Sequence, residues 1–201
     1  MLFFFLSAHS DDIIIPKNHS EENFMEEKRD ARGLTEAEAI ARYRSRNYAK
    51  PALTADIIVL RPTEQGVQVL LVERGGHPFL GKPALPGGFA NENEPVEETA
   101  ARELVEETGV SGLSMDLVGI FSRPGRDPRG WVVSAAFVAV VTDKELAVQA
   151  GDDAVSALWY TVIFTDSGLL LQRGDLCMPA EELAFDHAEI LSAALKKANF
   201  F

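Results

Sequence analysis

The stretch from Leu85 to Val110, LPGGFANENEPVEETAARELVEETGV, constrains the fold of this chain more than any other. Pro86-Gly87-Gly88 is typical of a backbone-permissive turn. Pro95 stands where a helix begins, because a first-turn residue needs no intrahelical N–H donor. Gly109 stands where a left-handed residue closes a last turn. Three apolar residues at i, i+4 and i+8 predict a stripe that packs on a core: Val96, Ala100 and Leu104.

Another face of this predicted helix carries three glutamates at i, i+3 and i+4: Glu103, Glu106 and Glu107. Each like-charge i,i+4 pair costs about 0.2–0.5 kcal/mol, and the helix dipole disfavours anions in the C-terminal turns. Arg102 is placed to pair with Glu106, but one cation cannot balance three carboxylates. Clustered carboxylate oxygens are the ligands that Mg²⁺ or Mn²⁺ prefers. Considered alone, the glutamates are equally compatible with a solvated acidic face.

The spacing resembles the signature of the Nudix hydrolases, which reads Gly, five residues, Glu, seven residues, Arg-Glu-aliphatic, one residue, Glu-Glu, one residue, Gly-aliphatic. Nine positions match: Gly88, Glu94, Arg102, Glu103, Leu104, Glu106, Glu107, Gly109 and Val110. The resemblance implies an α/β/α sandwich with a mixed central sheet. It also implies an enzyme that cleaves a nucleoside diphosphate joined to another group.

The same resemblance implies roles for individual residues. Glu103, Glu106 and Glu107 are expected to bind metal, Arg102 to orient a glutamate, and Glu94 to brace the loop. We further expect the backbone of the Gly87-Gly88 turn to hold substrate oxygens, with Gly87 also at the metal. The expected metal is Mg²⁺, with Mn²⁺ as the alternative.

The composition limits the domain organisation and the partners. With 201 residues, of which 46% are hydrophobic, the chain is expected to form one domain, at 35–201, behind an N-terminal extension, at 1–34. The net charge of −12 argues against a nucleic-acid partner. A single cysteine, Cys177, excludes an intramolecular disulfide and predicts a cytoplasmic protein. No apolar run is long enough to predict a membrane span.

The first ten residues, MLFFFLSAHS, are not expected to act as an export signal, because no basic residue precedes a short apolar run. Phe3, Phe4 and Phe5 need to be covered, either by their own chain or by a neighbouring subunit. We predict the second arrangement, and therefore a homodimer.

Periodicity and turn residues predict the remaining elements. A capping box at Thr35 and Glu38 begins a helix, and a terminal helix begins near Asp186 with Ile190, Leu191 and Leu195 on its buried face. The predicted strands are Ala52–Arg61, Val67–Glu73, Leu117–Phe121, Trp131–Val141, Ala157–Tyr160, and further short strands within Val162–Leu171 and Arg173–Met178.

A second functional candidate is the loop Ser122–Gly130, which carries Arg123, Arg126 and Arg129. Two prolines stiffen this loop, and planar guanidinium groups suit phosphate contacts. We expect all three arginines to be presented to substrate and the neighbouring Asp127 to accept a ribose hydroxyl. Arg74 is a further candidate for phosphate contact, whereas His77 is interpreted as a surface histidine.

This loop, together with Pro-Gly-Gly-Phe and Leu183–His187, resembles the Nudix branch of ADP-ribose pyrophosphatases and of transcription regulators that sense related metabolites. Asp186 is interpreted as a helix N-cap or as an additional carboxylate near the metals. Its rivals for that second role are Asp152, Asp153, Glu181 and Glu182.

The resulting hypothesis is Mg²⁺-dependent hydrolysis, with ADP-ribose as the expected substrate and AMP and ribose 5-phosphate as the products. One alternative is a nucleoside triphosphate pyrophosphohydrolase that cleanses the nucleotide pool. Another is a ligand-sensing regulator without catalytic activity.

Overall fold

Strand β1, Ala52–Thr63, lies in the middle of the sheet that organises the protein. The structure is a computed structural model that describes residues 27–142, 146–151 and 154–200. Seven consecutive residues of β1, 54–60, are buried. A strand buried on both faces reads as a continuous apolar run rather than an alternating one, and Ile57-Ile58-Val59 is such a run.

Nine strands and three α-helices are present in the described residues. The helices are α1 (Glu36–Ser45), α2 (Val96–Thr108) and α3 (His187–Lys197), and a short 3₁₀ turn at Ala180–Glu182 precedes α3. The strands after β1 are β2 (Gly66–Arg74), β3 (Pro83–Ala84), β4 (Gly87–Phe89), β5 (Asp116–Phe121), β6 (Val132–Val140), β7 (Ala154–Thr165), β8 (Gly168–Arg173) and β9 (Leu176–Pro179).

The strands form one mixed sheet in the order β5-β6-β1-β2-β7-β8-β9, with β3 paired to β2 and β4 paired to β1. Strands β1 and β6 are parallel, and every other pair is antiparallel. The parallel pair requires a crossover, which α2 and β5 supply. The predicted mixed sheet is therefore confirmed.

Helices α2 and α3 cover opposite faces of this sheet. Ala100 and Leu104 of α2 pack with Ile57 and Val59, whereas the apolar face of α3 packs with Ile58 and other sheet residues. Because successive side chains of a strand point to opposite faces, the two helices lie on different sides of β1. The predicted α/β/α sandwich and the two predicted apolar helix faces are confirmed.

The prediction of separate short strands after Tyr160 is wrong in one place. Strand β7 runs without interruption to Thr165, because residues 158–162 pair continuously with β2 and residues 161–165 pair with β8.

The described chain divides into two compact units, one ending at Tyr48 and the other beginning at Ala49. Helix α1 belongs to the first unit and begins with the predicted capping box, in which Thr35 and Glu38 exchange hydrogen bonds. The predictions for Phe3–Phe5, and for Asp152 and Asp153, fall outside the described residues. No helix of the described residues is both long and apolar enough to cross a membrane.

Candidate active site

The short strand β4 brings the predicted glycine turn against the centre of the sheet. Gly87 pairs with Asp56 of β1, and Gly88 pairs with Ala55. Gly87 has φ +154°, and a Cβ atom added there would collide with the carbonyl oxygen of Ala55. The close approach of two backbones therefore requires glycine at this position.

Helix α2 directs its glutamates at this turn. The Glu103 carboxyl group is buried against Gly88, where an added Cβ atom would overlap it. The backbone N–H of Gly87 donates a hydrogen bond to Glu107 Oε2 at 3.0 Å. The left-handed Gly109 then closes α2, as predicted. The structure thus brings the predicted glutamates and glycines together, although Gly87 and Glu107 are 20 residues apart in sequence.

Arg102 joins the carboxylates on either side of it. Its Nη1 donates to Glu103 Oε1 at 2.6 Å and to Glu106 Oε2 at 2.9 Å. Its Nε donates to Glu94 Oε1 at 2.9 Å, and its Nη2 to Glu94 Oε2 and to the Phe89 carbonyl. The hydrogen bond with Glu94 is the main cause of the raised pKa of Arg102. A single guanidinium therefore ties α2 to the turn before it.

Glu94 makes the contacts expected of a loop brace. Besides Arg102, its carboxylate accepts hydrogen bonds from the Asn91 backbone N–H at 2.9 Å and from the Thr99 hydroxyl at 2.8 Å. These contacts, of which the hydrogen bond with Arg102 has the largest effect, lower the pKa of Glu94 to about 2. The carboxylate is therefore ionised at neutral pH and holds the start of α2 against the preceding segment.

The donor types of this cluster fit a hard divalent cation, because all three glutamate side chains offer oxygen ligands. Glu103 and Glu106 lie within hydrogen-bond distance of the same Arg102 nitrogen, so two of these ligands are already close. In the part of the chain that the structure describes, no three acidic, histidine or cysteine side chains form a closed ligand set. The carboxylates are turned towards Arg102 and the Gly87 N–H instead.

The arginine loop after β5 differs from the prediction at Arg126. This side chain is only 4% exposed. It donates from Nε and Nη2 to both oxygens of Asp186, at 2.8 and 2.6 Å, and from Nη2 to Asp56 Oδ2 at 3.3 Å. Burial opposes its charge, but the hydrogen bond with Asp186 and the two carboxylate charges outweigh burial and raise the pKa of Arg126. The expectation that all three arginines are presented on the loop is therefore wrong for Arg126.

Asp186 precedes α3 as predicted, yet its side chain makes no capping hydrogen bond, because Arg126 takes both of its oxygens. Asp127 is likewise occupied by a neighbour. Its carboxylate accepts hydrogen bonds from the Arg129 backbone N–H, Nε and Nη2. Burial raises the pKa of Asp127, but the bonds from Arg129 outweigh burial and lower it. Asp127 thus makes its contacts within the loop, and the expected ribose contact stays a prediction.

The remaining predicted arginines differ in exposure and partners. Arg123 is exposed and lies 3.4 Å from a carboxylate oxygen of Glu189. Arg74 donates from Nε to the carbonyl of Pro78 at 2.8 Å, and its guanidinium lies 4.9 Å from the Phe185 ring centroid. Arg129 lies 4.8 Å from the ring centroid of Phe89 and 5.4 Å from that of Phe185.

A cavity of about 420 Å³ collects most of these groups. Predicted site residues that line it are Arg74, Gly87, Gly88, Arg102, Glu103, Glu106, Glu107, Arg126, Asp127 and Arg129. Arg123, Glu94 and Asp186 are not among its lining residues. His77, interpreted from sequence as a surface histidine, is exposed and lines the cavity as well.

Sequence reasoning missed a buried polar cluster beneath the glycine turn. His187 Nδ1 accepts a hydrogen bond from the Leu85 backbone N–H at 2.9 Å, so the neutral ring carries its proton on Nε2. That nitrogen lies 3.6 Å from Asp56 Oδ1, and Asp56 Oδ2 accepts from the Ser134 hydroxyl at 2.6 Å. Burial lowers the pKa of His187. A carboxylate next to the apolar run Ile57-Ile58-Val59 was the available signal for Asp56.

The chain matches the NUDIX domain model over residues 50–174. It is 35% identical, over 172 residues, to the ADP-ribose pyrophosphatase of Methanocaldococcus jannaschii, covering 86% of this chain and 88% of the relative. It is 29% identical to the ADPR responsive transcriptional repressor NtrR of Acinetobacter baylyi, covering 80% of this chain and 59% of the repressor. A crystal structure of a MutT/nudix family protein from Enterococcus faecalis superposes with a TM-score of 0.72 at 36% identity, covering 84% of this chain and 71% of that one.

The matched region contains the whole of α2, the glycine turn and the strands that hold them. This match and this degree of identity place the chain in the Nudix family, as a pyrophosphohydrolase.

Proposed function

We propose that this Nudix enzyme hydrolyses ADP-ribose to AMP and ribose 5-phosphate in a reaction that requires a divalent metal ion. One observation carries the proposal: three glutamates of α2 and the Gly87-Gly88 turn line the same cavity as the cationic side chains of Arg74 and Arg129. A pyrophosphate needs both negative ligands for a metal and positive groups for its own oxygens.

Glu103, Glu106 and Glu107, together with the backbone of Gly87, would hold the ion, which we propose to be Mg²⁺ with Mn²⁺ as the alternative. When bound, such an ion neutralises charge at the pyrophosphate and activates the attacking water. Arg102 contacts Glu103 and Glu106 and therefore keeps both carboxylates near the turn. Glu94 fixes Arg102 in turn, which makes these two residues supports of the catalytic site.

Substrate phosphates are proposed to contact Arg74 and Arg129, which line the cavity, with the Gly88 backbone opposite. Both guanidinium groups are already fixed by other contacts, Arg74 by the Pro78 carbonyl and Arg129 by Asp127. Preorganised donors lose little conformational entropy when they engage a ligand. Arg126 is assigned a different role from the one expected, because its ion pairs hold the loop and α3 against the sheet.

ADP-ribose is favoured as the substrate by the names of two relatives, one an ADP-ribose pyrophosphatase and the other a repressor that responds to ADPR. A panel of ADP-ribose, dGTP and other triphosphates, assayed with Mg²⁺ and with Mn²⁺, tests this assignment. We expect the highest kcat/KM for ADP-ribose. A triphosphate that is turned over faster would instead support the alternative of nucleotide-pool cleansing.

The metal assignment is tested by Glu106→Gln and Glu107→Gln. Hydrolysis should fall by about 100-fold or more, since a lost ligand removes several kcal/mol of charge stabilisation. Glu107→Gln retains an acceptor for the Gly87 N–H, so its melting temperature in EDTA should be unchanged or slightly raised. A Mn²⁺ titration followed by electron paramagnetic resonance gives a readout independent of turnover. Full activity in both variants would contradict the assignment.

The ligand-sensing regulator is a second candidate, because of the repressor relative. We favour the enzyme without a nucleic-acid partner, given the net charge of −12. Binding of duplex DNA at low salt, with and without ADP-ribose, distinguishes the two.

A homodimer and a cytoplasmic location remain part of the proposal. Sedimentation of the full chain, compared with a chain lacking residues 1–29, tests the homodimer.

A further inference from the structure

Phe89 is an exposed aromatic residue in the wall of the catalytic cavity. It is the last residue of β4, directly after Gly88, and is 42% exposed. Its carbonyl oxygen accepts a hydrogen bond from Arg102 Nη2 at 3.0 Å, so its backbone is tied to the residue that contacts the metal-site glutamates. Its ring is therefore held beside the predicted pyrophosphate position without being buried in the core.

Arg129 braces this ring. The guanidinium lies 4.8 Å from the Phe89 ring centroid, within the range of a cation–π contact. Arg129 is in turn fixed by hydrogen bonds from Nε and Nη2 to Asp127, whose side chain is 2% exposed. A guanidinium anchored on a buried carboxylate gives the phenyl ring a rigid support, which lowers the entropic cost of stacking a ligand on it.

Thr54 lies directly opposite Phe89 in the antiparallel pairing of β1 and β4. Residues directly opposite one another in such a pair project from the same face, so the two side chains are neighbours. Thr54 is 5% exposed and lines the same cavity. Its hydroxyl has no hydrogen-bond partner within the described residues, which costs folding free energy at a buried position.

We propose that Phe89 and Thr54 form the nucleobase subsite of the cavity. The planar heteroaromatic base of the nucleotide stacks on the Phe89 ring, and the Thr54 hydroxyl hydrogen-bonds a polar atom of the same nucleoside. This inference rests on the proposed function, because it assigns the AMP half of the substrate to the β4 side of the site. An aromatic ring stacks on the π-face of a base. A hydroxyl that lacks a partner in the protein discriminates between ligands that can and cannot hydrogen-bond with it.

The test compares the binding of AMP and of ribose 5-phosphate by isothermal titration calorimetry in EDTA. Both ligands carry a phosphorylated ribose, but only AMP carries the base, so the difference between them reports the subsite without turnover. Wild-type protein should bind AMP more tightly. Phe89→Leu should weaken AMP binding by about 5- to 150-fold, the range that corresponds to stacking one base on an aromatic side chain. Its affinity for ribose 5-phosphate should change less than about twofold, and Phe89→Trp should bind AMP at least as well as wild type.

Phe164→Leu is the matched control, because Phe164 is similarly exposed, at 44%, but does not line this cavity. It should leave AMP binding unchanged. Thr54→Val tests the hydroxyl separately, since it removes one oxygen and keeps the shape. The melting temperature should rise, because an unpartnered buried polar group is lost, while AMP binding weakens about tenfold. A structural role for the hydroxyl would instead lower the melting temperature and leave AMP binding intact.

The proposal is overturned if Phe89→Leu binds AMP within about twofold of wild type, or if it loses both ligands equally. Failure of the proposed function is distinguishable. An AMP preference that depends on Phe89, in a protein that does not hydrolyse ADP-ribose, would keep the subsite and remove the reaction. Hydrolysis of ADP-ribose by a Phe89→Leu variant with unaltered AMP affinity would keep the reaction and remove the subsite.

Discussion

Two adjacent glycines of β4 should respond to alanine in opposite ways. At Gly88, the added Cβ atom overlaps the carboxyl group of Glu103, which is the far end of a flexible side chain. At Gly87, the added Cβ atom overlaps the Ala55 carbonyl oxygen and lies 3.0 Å from the Asp56 Cα atom, and these backbone groups cannot turn away. The first substitution displaces a proposed metal ligand, whereas the second strains the sheet.

The two substitutions should therefore separate activity from stability. Gly88→Ala loses the 2.6 Å contact between Arg102 and Glu103, which is partly exposed and contributes up to about 1 kcal/mol. Its turnover should fall by about 100-fold or more, because Glu103 no longer occupies its position at the proposed metal site. Gly87→Ala places a side chain at φ +154° and should cost about 1–3 kcal/mol in backbone strain alone, with a further cost from the overlap.

Urea denaturation measures the free energy of unfolding, and hydrolysis of ADP-ribose with Mg²⁺ measures turnover. Glu103→Gln is the matched control, since it weakens the same ligand without adding an atom to the turn. Gly88→Ala should resemble Glu103→Gln in turnover, and its free energy of unfolding should lie within about 1 kcal/mol of that of wild type. If Gly88→Ala is fully active, or is destabilised as much as Gly87→Ala, the proposed relation between Gly88 and Glu103 is incorrect.

Two further predictions concern the ion pairs around the site. Arg126→Met should lower the free energy of unfolding by about 3–5 kcal/mol at pH 7, because two buried carboxylates lose their cation. Asp186→Asn should lower it less. Equal urea midpoints for the two variants would contradict this order. Glu94 has its pKa lowered from 4.5 to about 2 in the folded protein, so the stability from its contact with Arg102 is present above pH 4.5 and is lost as the pH falls towards 2. The melting temperature of Glu94→Gln should accordingly depend less on pH across that window than that of wild type. If the two proteins show the same pH dependence, the contact with Arg102 is not the source of this stability.

Local signals predicted helix α2 well. Its apolar stripe, its terminal glycine and the spacing of its glutamates all lie within 26 residues of sequence, and each has a physical reason that acts over one or two turns. The capping box of α1 was likewise predictable, since Thr35 and Glu38 are three residues apart. The long strands β1, β2 and β6 followed from β-branched apolar runs, whereas the short strands β3 and β4 at the site were not predicted.

The partners of the arginine loop were not predictable in the same way. Arg126 and Arg129 are three residues apart and look alike in the sequence, yet one is buried between Asp56 and Asp186 and the other is bound by Asp127. The composition of the loop gives the number of cationic side chains but does not predict which carboxylates lie next to them in the fold. The burial of Arg126 was not predicted because its partners lie 60 and 70 residues away in sequence.

The hydrogen bond from Leu85 to His187 has a consequence for the order in which the protein matures. It joins residues 102 positions apart, and the neighbouring bond from Ser134 to Asp56 joins residues 78 positions apart. Closing such long loops is slow compared with forming α2, whose bonds are local. A nascent chain still short of α3 would therefore already contain every signature residue but would lack the acceptor that holds the residue before Pro86. Catalytic competence is then acquired only after α3 has been synthesised and has docked on the sheet.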